Sequence, residues 1–184
     1  AQAETPLRRP LSFLPAASVL VVTPGAANVV ERVMQVSPYL APQADTLTAH
    51  SARAFRRLAA RQPDFARCSA DTLARLFLVT GEAHIAAALD RERSRRDSLL
   101  SANPTDRAAA QALLNTLGWV AASEGTDLYV NLPVDCMINV ATPALRCTVD
   151  QICEMGRVKY RLSGFPQHGS ALRLHLRLPA GVEP

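Results

Sequence analysis

The residues most able to do chemistry in this 184-residue chain are its four cysteines. Cys136, Cys147 and Cys153 stand within NLPVDCMINVATPALRCTVDQICEMG, and Cys68 lies far upstream. Tetrahedral zinc takes its thiolates and imidazoles from short knuckles of the form Cys-x2-4-Cys. Here the spacings are ten and five intervening residues, so neither pair forms a knuckle, and no metal or other cofactor is expected. Thiol redox catalysis calls for Cys-x-x-Cys at a helix N-terminus, which the chain lacks. A lone nucleophile at Cys68, just ahead of a helix start at Ser69, needs a base that spacing does not supply. The expectation is two disulfides, because three cysteines crowd a stretch of turns and short elements whose own core is thin. The preferred pairing is Cys68 with Cys136 and Cys147 with Cys153; the other two connectivities stay open. In one regular helix Cys147 and Cys153 would stand about 9 Å apart along the axis, so their pairing requires a turn between them. Disulfides in turn imply an extracytoplasmic setting, periplasmic or secreted.

Histidines and carboxylates offer a second kind of chemistry. Glu82 and His84 are two positions apart, so a continuous helix sends them to different faces, and the His-Glu-x-x-His arrangement of zinc proteases is absent. His50 with Asp64 and Glu82, or Ser163 and Ser170 near His168, supply the residue types of a triad. No Gly-x-Ser-x-Gly elbow accompanies them, and TPGAAN after the first expected strand lacks the glycine pattern and lysine of a phosphate loop. The weak catalytic candidates are therefore His50, Glu82, His84 and His168, with His175 as a further imidazole, and whether the chain is an enzyme stays undecided.

Binding is the third. Arg91, Arg93, Arg95 and Arg96 sit among Asp90, Glu92 and Asp97 on a helix end, where Glu92 and Arg96 have the i, i+4 spacing of an exposed ion pair. The better recognition surface is formed by Arg157, Lys159, Arg161, Arg173 and Arg177. These residues alternate with apolar ones in RVKYRL and LRLHLRL, so two adjacent strands would gather them on one face, with the leucines in the core. One Trp and three Tyr give little for stacking nucleic acid, and an excess of basic residues alone does not make a phosphate-binding surface.

These residues must be positioned by a chain that is 48% hydrophobic and 20% charged, with formal net charge +4, which reads as globular. Residues 1–16, with Pro6, Pro10 and Pro15, form an extended lead-in. Arg8 and Arg9 ahead of the apolar run 11–22 have the order of a secretory signal, but Pro10 and Pro15 interrupt it and favour a folded segment. That run is also too short to span a bilayer, as is every other. A strand is expected at 18–22, and helices at 26–34, 46–60, 69–100 and from 105 to near Gly125. In the 69–100 helix, Ser69 caps the first turn, Ala74, Leu78, Ile85 and Leu89 share a stripe, and Gly81 is a close-packing point or a break. Strands follow at 127–132 and 136–140, then an amphipathic helix or irregular stapled segment at 144–155. A hairpin joins 157–162 to 172–178 through FPQHGS.

The reading is one α+β domain over 1–184: a helical N-terminal layer packed on a mainly antiparallel sheet with a C-terminal β-hairpin. Its expected function is extracytoplasmic protein binding or assembly of a bacterial envelope. The basic sheet face would meet another protein with an acidic surface. The alternative is a secreted hydrolase or transferase acting on an anionic group with a His/carboxylate pair.

Overall fold

The computed structural model describes residues 10–15, 18–20, 46–61, 64–154, 157–164 and 171–178. The lead-in up to Arg9, the helix expected at 26–34, and His168 and Ser170 lie outside the described residues.

The helices start where local capping chemistry is available. Before α1 (Ala49–Arg61), Ser51 N donates to Thr48 Oγ1 at 3.1 Å and Thr48 N donates to Ser51 Oγ at 3.0 Å, a reciprocal cap. Ser69 caps α2 (Ala70–Thr80) by accepting from Thr72 N at 3.2 Å, as its sequence position predicts. The helix expected over 69–100 is in fact two. Gly81 takes φ 70°, which a glycine adopts without Cβ strain, and its N–H donates to Phe77 O at 2.8 Å, ending α2. α3 (Ala83–Ala102) begins two residues later. The expected stripe survives this break, because Ala74, Leu78, Ile85 and Leu89 are all buried. α4 (Arg107–Leu117) is capped by Asp106, whose Oδ1 accepts from Ala109 N at 2.9 Å. Asn103 Oδ1 accepts from Thr105 N at 3.2 Å, closing the preceding turn.

The strands form two sheets. One has the order β3-β1-β4-β5-β9, with β1 (Leu11–Phe13), β3 (Thr46–Leu47), β4 (Ala121–Glu124), β5 (Asp127–Val130) and β9 (Arg173–Leu176). The other has the order β2-β6-β7-β8, with β2 (Val19–Leu20), β6 (Cys136–Ala141), β7 (Arg146–Glu154) and β8 (Arg157–Ser163). All pairings are antiparallel except β5 with β9. The architecture is α+β, a helical part followed by mostly antiparallel strands and a C-terminal hairpin.

Several elements differ from the sequence reading, each for a physical reason. The last helix stops at Leu117 instead of running towards Gly125, and Ala121–Glu124 become β4, central in its sheet with Ala121 and Ala122 fully buried. Gly125, at φ 60°, then allows the two-residue turn that sets Glu124 opposite Asp127. The segment expected as a helix or stapled loop is the nine-residue strand β7. Its period is two: Cys147, Val149 and Gln151 are buried, while the residues between them are more open. The hairpin is formed by β7 and β8, with Glu154 opposite Arg157, and not by 157–162 with 172–178. β9 crosses to the other sheet, where Tyr129 faces His175. As an edge strand there, β9 leaves Leu172, Leu174 and Leu178 half-buried and Leu176 41% exposed, so these leucines are not the core expected of them.

Buried residues from the helices and both sheets form one cluster, including Leu73, Phe77, Ile85, Leu114, Trp119, Leu128, Ile138 and Val149. Two polar links secure it. Trp119 Nε1 donates to Asp71 Oδ1 at 2.7 Å, while the Arg75 guanidinium pairs with Asp71 at 3.0 Å and lies 4.6 Å over the Trp119 ring. Gln151, 1% exposed, directs Nε2 to the carbonyls of Leu132 at 2.8 Å and Val134 at 2.6 Å, holding the loop that carries the chain from β5 to β6. Gln151→Leu leaves both carbonyls without that donor in the interior. It is expected to lower the unfolding free energy by about 3 kcal/mol, read as a fall in urea midpoint with unchanged m.

Candidate functional site

The histidines do not converge. His50 is exposed at the start of α1 and is joined to neither Asp64 nor Glu82 by any bond among the described residues. Asp64 is exposed and its Oδ1 accepts from Ala66 N at 2.9 Å, a local turn. Glu82 and His84 do meet, at 3.2 Å, because Glu82 is the N-cap of α3 and lies outside the helical spacing that would separate them. Both are solvent-exposed, with the His84 ring 5.4 Å from Phe65. Ser163 is exposed at the end of β8.

The best-held imidazole is one whose partner spacing did not reveal. His175 Nε2 lies 3.0 Å from Asp127 Oδ1, and its ring stacks on Tyr129 at 4.4 Å and 13°. The parallel register of β5 and β9 makes this contact across 48 positions of sequence. A His–Asp pair orients a base, but among the described residues no hydroxyl or thiol is hydrogen-bonded to the other ring nitrogen.

The expected basic surface is divided. Arg157, Lys159 and Arg161 are exposed on one side of β8, alternating with half-buried Val158, Tyr160 and Leu162. The facing positions on β7 are Glu154, Ile152 and Asp150. Arg173 and Arg177 belong to the other sheet, on β9 and just after it, and Arg173 lies 3.8 Å from Asp127. These five residues therefore do not lie on adjacent strands.

The cysteines are free thiols, so the expected disulfides are absent. The preferred local bridge fails on geometry: Cys147 and Cys153 stand six positions apart on one strand, with Cα atoms about 20 Å apart at strand rise. Cys136 faces Gln151, which puts Cys153 on the diagonal of the same inner sheet face. Burial pushes the Cys136 thiol up to about 12 and Cys153 to about 11, and Tyr160, beside them on β8, to about 12. At neutral pH these sulfurs are protonated, neither nucleophiles nor good metal ligands. Among the described residues no three His, Cys, Asp or Glu side chains gather to hold a metal ion.

Above this end of the sheet lies a pocket of about 250 Å³. α2 lends it Phe77, α3 lends it Ala86, Ala87, Leu89, Asp90 and Arg93, and the loop pinned by Gln151 lends it Leu132, Pro133 and Val134. Arg93 Nε is buried without a hydrogen-bond partner. Sequence inspection assigned Arg93 to a solvated helix end. Its neighbours Arg95 and Arg96 do behave so, both pairing with Glu92 at 2.7 Å and holding that carboxyl below its ordinary value.

No family model, curated protein or solved structure matches this chain. Its function is read from the geometry alone.

The thiols set an alkaline limit on stability. The folded chain keeps the Cys136 proton to about 12, whereas the unfolded chain releases it near 9.0, so the folded state binds more protons between these values. The contribution is complete below the lower value and is lost as pH rises through the window. Cys136→Ala is expected to make the alkaline decline shallower by about 1.4 kcal/mol per pH unit, one proton's worth, in urea titrations across that window.

Proposed function

We propose that the protein binds another protein by strand addition at β8, taking an extended acidic segment along that edge. The observation that carries this reading is the place of β8 at the end of its sheet among the described strands, with Arg157, Lys159 and Arg161 on its exposed side. An edge strand offers backbone donors and acceptors to an incoming strand, and the period-two side chains select what lies beside them. Seven residues of β8 give room for a partner segment of ordinary strand length. Two copies of this chain meeting edge to edge would set cations against cations, which disfavours self-association, while an acidic strand gains from the same charges. Charge at the rim acts chiefly on association rate and on salt dependence.

An extracytoplasmic setting and a part in envelope assembly were expected from disulfides. With free thiols that support is gone, and strand addition does not depend on the compartment. The hydrolase or transferase alternative has the His175–Asp127 pair in its favour but no nucleophile hydrogen-bonded to it among the described residues.

A labelled peptide alternating Glu with Val and Thr tests the proposal by fluorescence anisotropy and by amide exchange. It should bind, protect the backbone amides of β8, and weaken steeply with added salt. The triple variant Arg157→Gln, Lys159→Gln, Arg161→Gln should retain the circular dichroism of the parent, associate about tenfold more slowly and lose most of the salt dependence. Equal binding of a Lys-for-Glu peptide, or protection elsewhere than β8, would sink the idea.

A further inference from the structure

The pocket between α3 and the 132–134 loop combines features that call for one kind of ligand. Its walls are apolar, from Phe77, Leu89, Leu132, Pro133 and Val134 with the small Ala86 and Ala87, and one guanidinium, that of Arg93, stands among them. Burial lowers the Arg93 pKa, and Asp90 and Asp97 on the same helix offset part of that effect. An arginine keeps its charge in proteins, and although the Arg93 side chain is half-buried, its Nε is shut off from solvent without a hydrogen bond, which is costly unless something else supplies the acceptor. The loop wall is fixed in advance by the two hydrogen bonds from Gln151 Nε2. The site is therefore substantially formed before any ligand arrives, which reduces the ordering cost of binding.

We infer that this pocket binds a small apolar monocarboxylic acid, its carboxylate on the Arg93 guanidinium and its hydrocarbon tail against Phe77, Leu89 and Val134. Guanidinium and carboxylate match as a planar fork, with two parallel hydrogen bonds available and Nε as one of the donors. A phosphate would need more donors than a single arginine provides, and the rest of the lining has no cation. Asp90 at the wall argues further against a dianion, since every added negative charge on the ligand meets its repulsion. Size sets the upper limit. At about 30 Å³ for each water-sized group the volume admits roughly eight heavy atoms, the scale of a branched six-carbon acid. This site is separate from the outward face of β8 and does not depend on strand addition there.

The probe is 4-methylpentanoate, compared with 4-methylpentan-1-ol, which keeps the tail and lacks the charge. Titration calorimetry and amide chemical shifts at neutral pH report affinity and place. The acid should bind saturably, shifting amides of α3 around Leu89 and of the 132–134 loop, and the alcohol should bind about tenfold more weakly or worse. Arg93→Gln should remove the preference for the acid, and Asp90→Asn should tighten the acid about twofold to threefold by removing a like charge. Ala87→Leu, a change at an exposed position of α3 that fills the pocket, should weaken acid and alcohol together. Equal affinity for acid and alcohol, no saturable binding of the acid up to about 10 mM, where even millimolar affinity would be visible, or full affinity in Ala87→Leu would each overturn the assignment. So would an Arg93→Gln variant that folds normally and keeps the preference. If Arg93→Gln does not fold, the alcohol comparison and Ala87→Leu decide alone.

Discussion

A single buried carboxamide joins the parts of this molecule that matter for binding. Gln151 sits in the middle of β7 on the face turned to the core, where an aliphatic residue would satisfy packing better. Its place is explained by what it holds. The chain leaves one sheet after β5 and enters the other at β6, and the connecting loop must bring its backbone carbonyls inside. Gln151 Nε2 takes two of them, Leu132 O and Val134 O, which fixes the crossover. The neighbours of Gln151 in its row, Cys136 on one side and Tyr160 on the other, then fall where burial keeps their protons on. Pocket wall, thiol environment and sheet junction are thus consequences of one side chain's two donors.

The second anchor lies at the other end of the core. Asp71 does three things at once: it sits in the first turn of α2, accepts from the Trp119 indole, and pairs with Arg75 one turn on. Trp119 follows α4 and precedes β4, and Phe13 of β1 packs edge-on against it at 4.4 Å. This one ring therefore fixes the entry of α2, the exit of α4 and the position of a central strand relative to one another. Gly81 serves the same layer by turning the chain sharply enough that α2 and α3 pack side by side instead of continuing as one rod.

What the sequence made legible was what is written locally. The cap at Ser69, the stripe through Ala74, Leu78, Ile85 and Leu89, and the alternation in RVKYRL all rest on residues within a few positions of each other. They led to the α+β class and to the cations of β8. β7 was hidden because three of its four inward positions, Cys147, Gln151 and Cys153 beside Val149, are polar or ambiguous residues that mask a period of two. β4 was hidden because WVAAS continues an alanine-rich helix in composition, and only its place between β1 and β5 selects the extended form. The parallel union of β5 with β9, and with it His175 on Asp127, depends on strands far apart in the chain, which no local pattern encodes. The pocket was illegible for the same reason, since Phe77, Arg93 and Val134 meet only when two helices and a loop do.

Charge shows most clearly why composition revealed so little of function. Nineteen of the twenty basic residues are arginine, yet the same side chain serves four different ends. Arg95 and Arg96 neutralise Glu92 on an open helix face, where solvent and salt screen the pairs. Arg75 spreads its guanidinium over an indole. Arg157 and Arg161 stay solvated on β8, where their field reaches outward and falls off within about a Debye length. Arg93, two positions from Arg95 on the same helix, turns instead towards Phe77 and Val134, where its Nε is buried without a hydrogen-bond partner although the side chain as a whole is only half-buried. A count of charges treats these as equal. Their ability to select a ligand instead follows the desolvation of each guanidinium and the number of its hydrogen bonds left unmade, and on both counts Arg93 exceeds the solvated cations of β8.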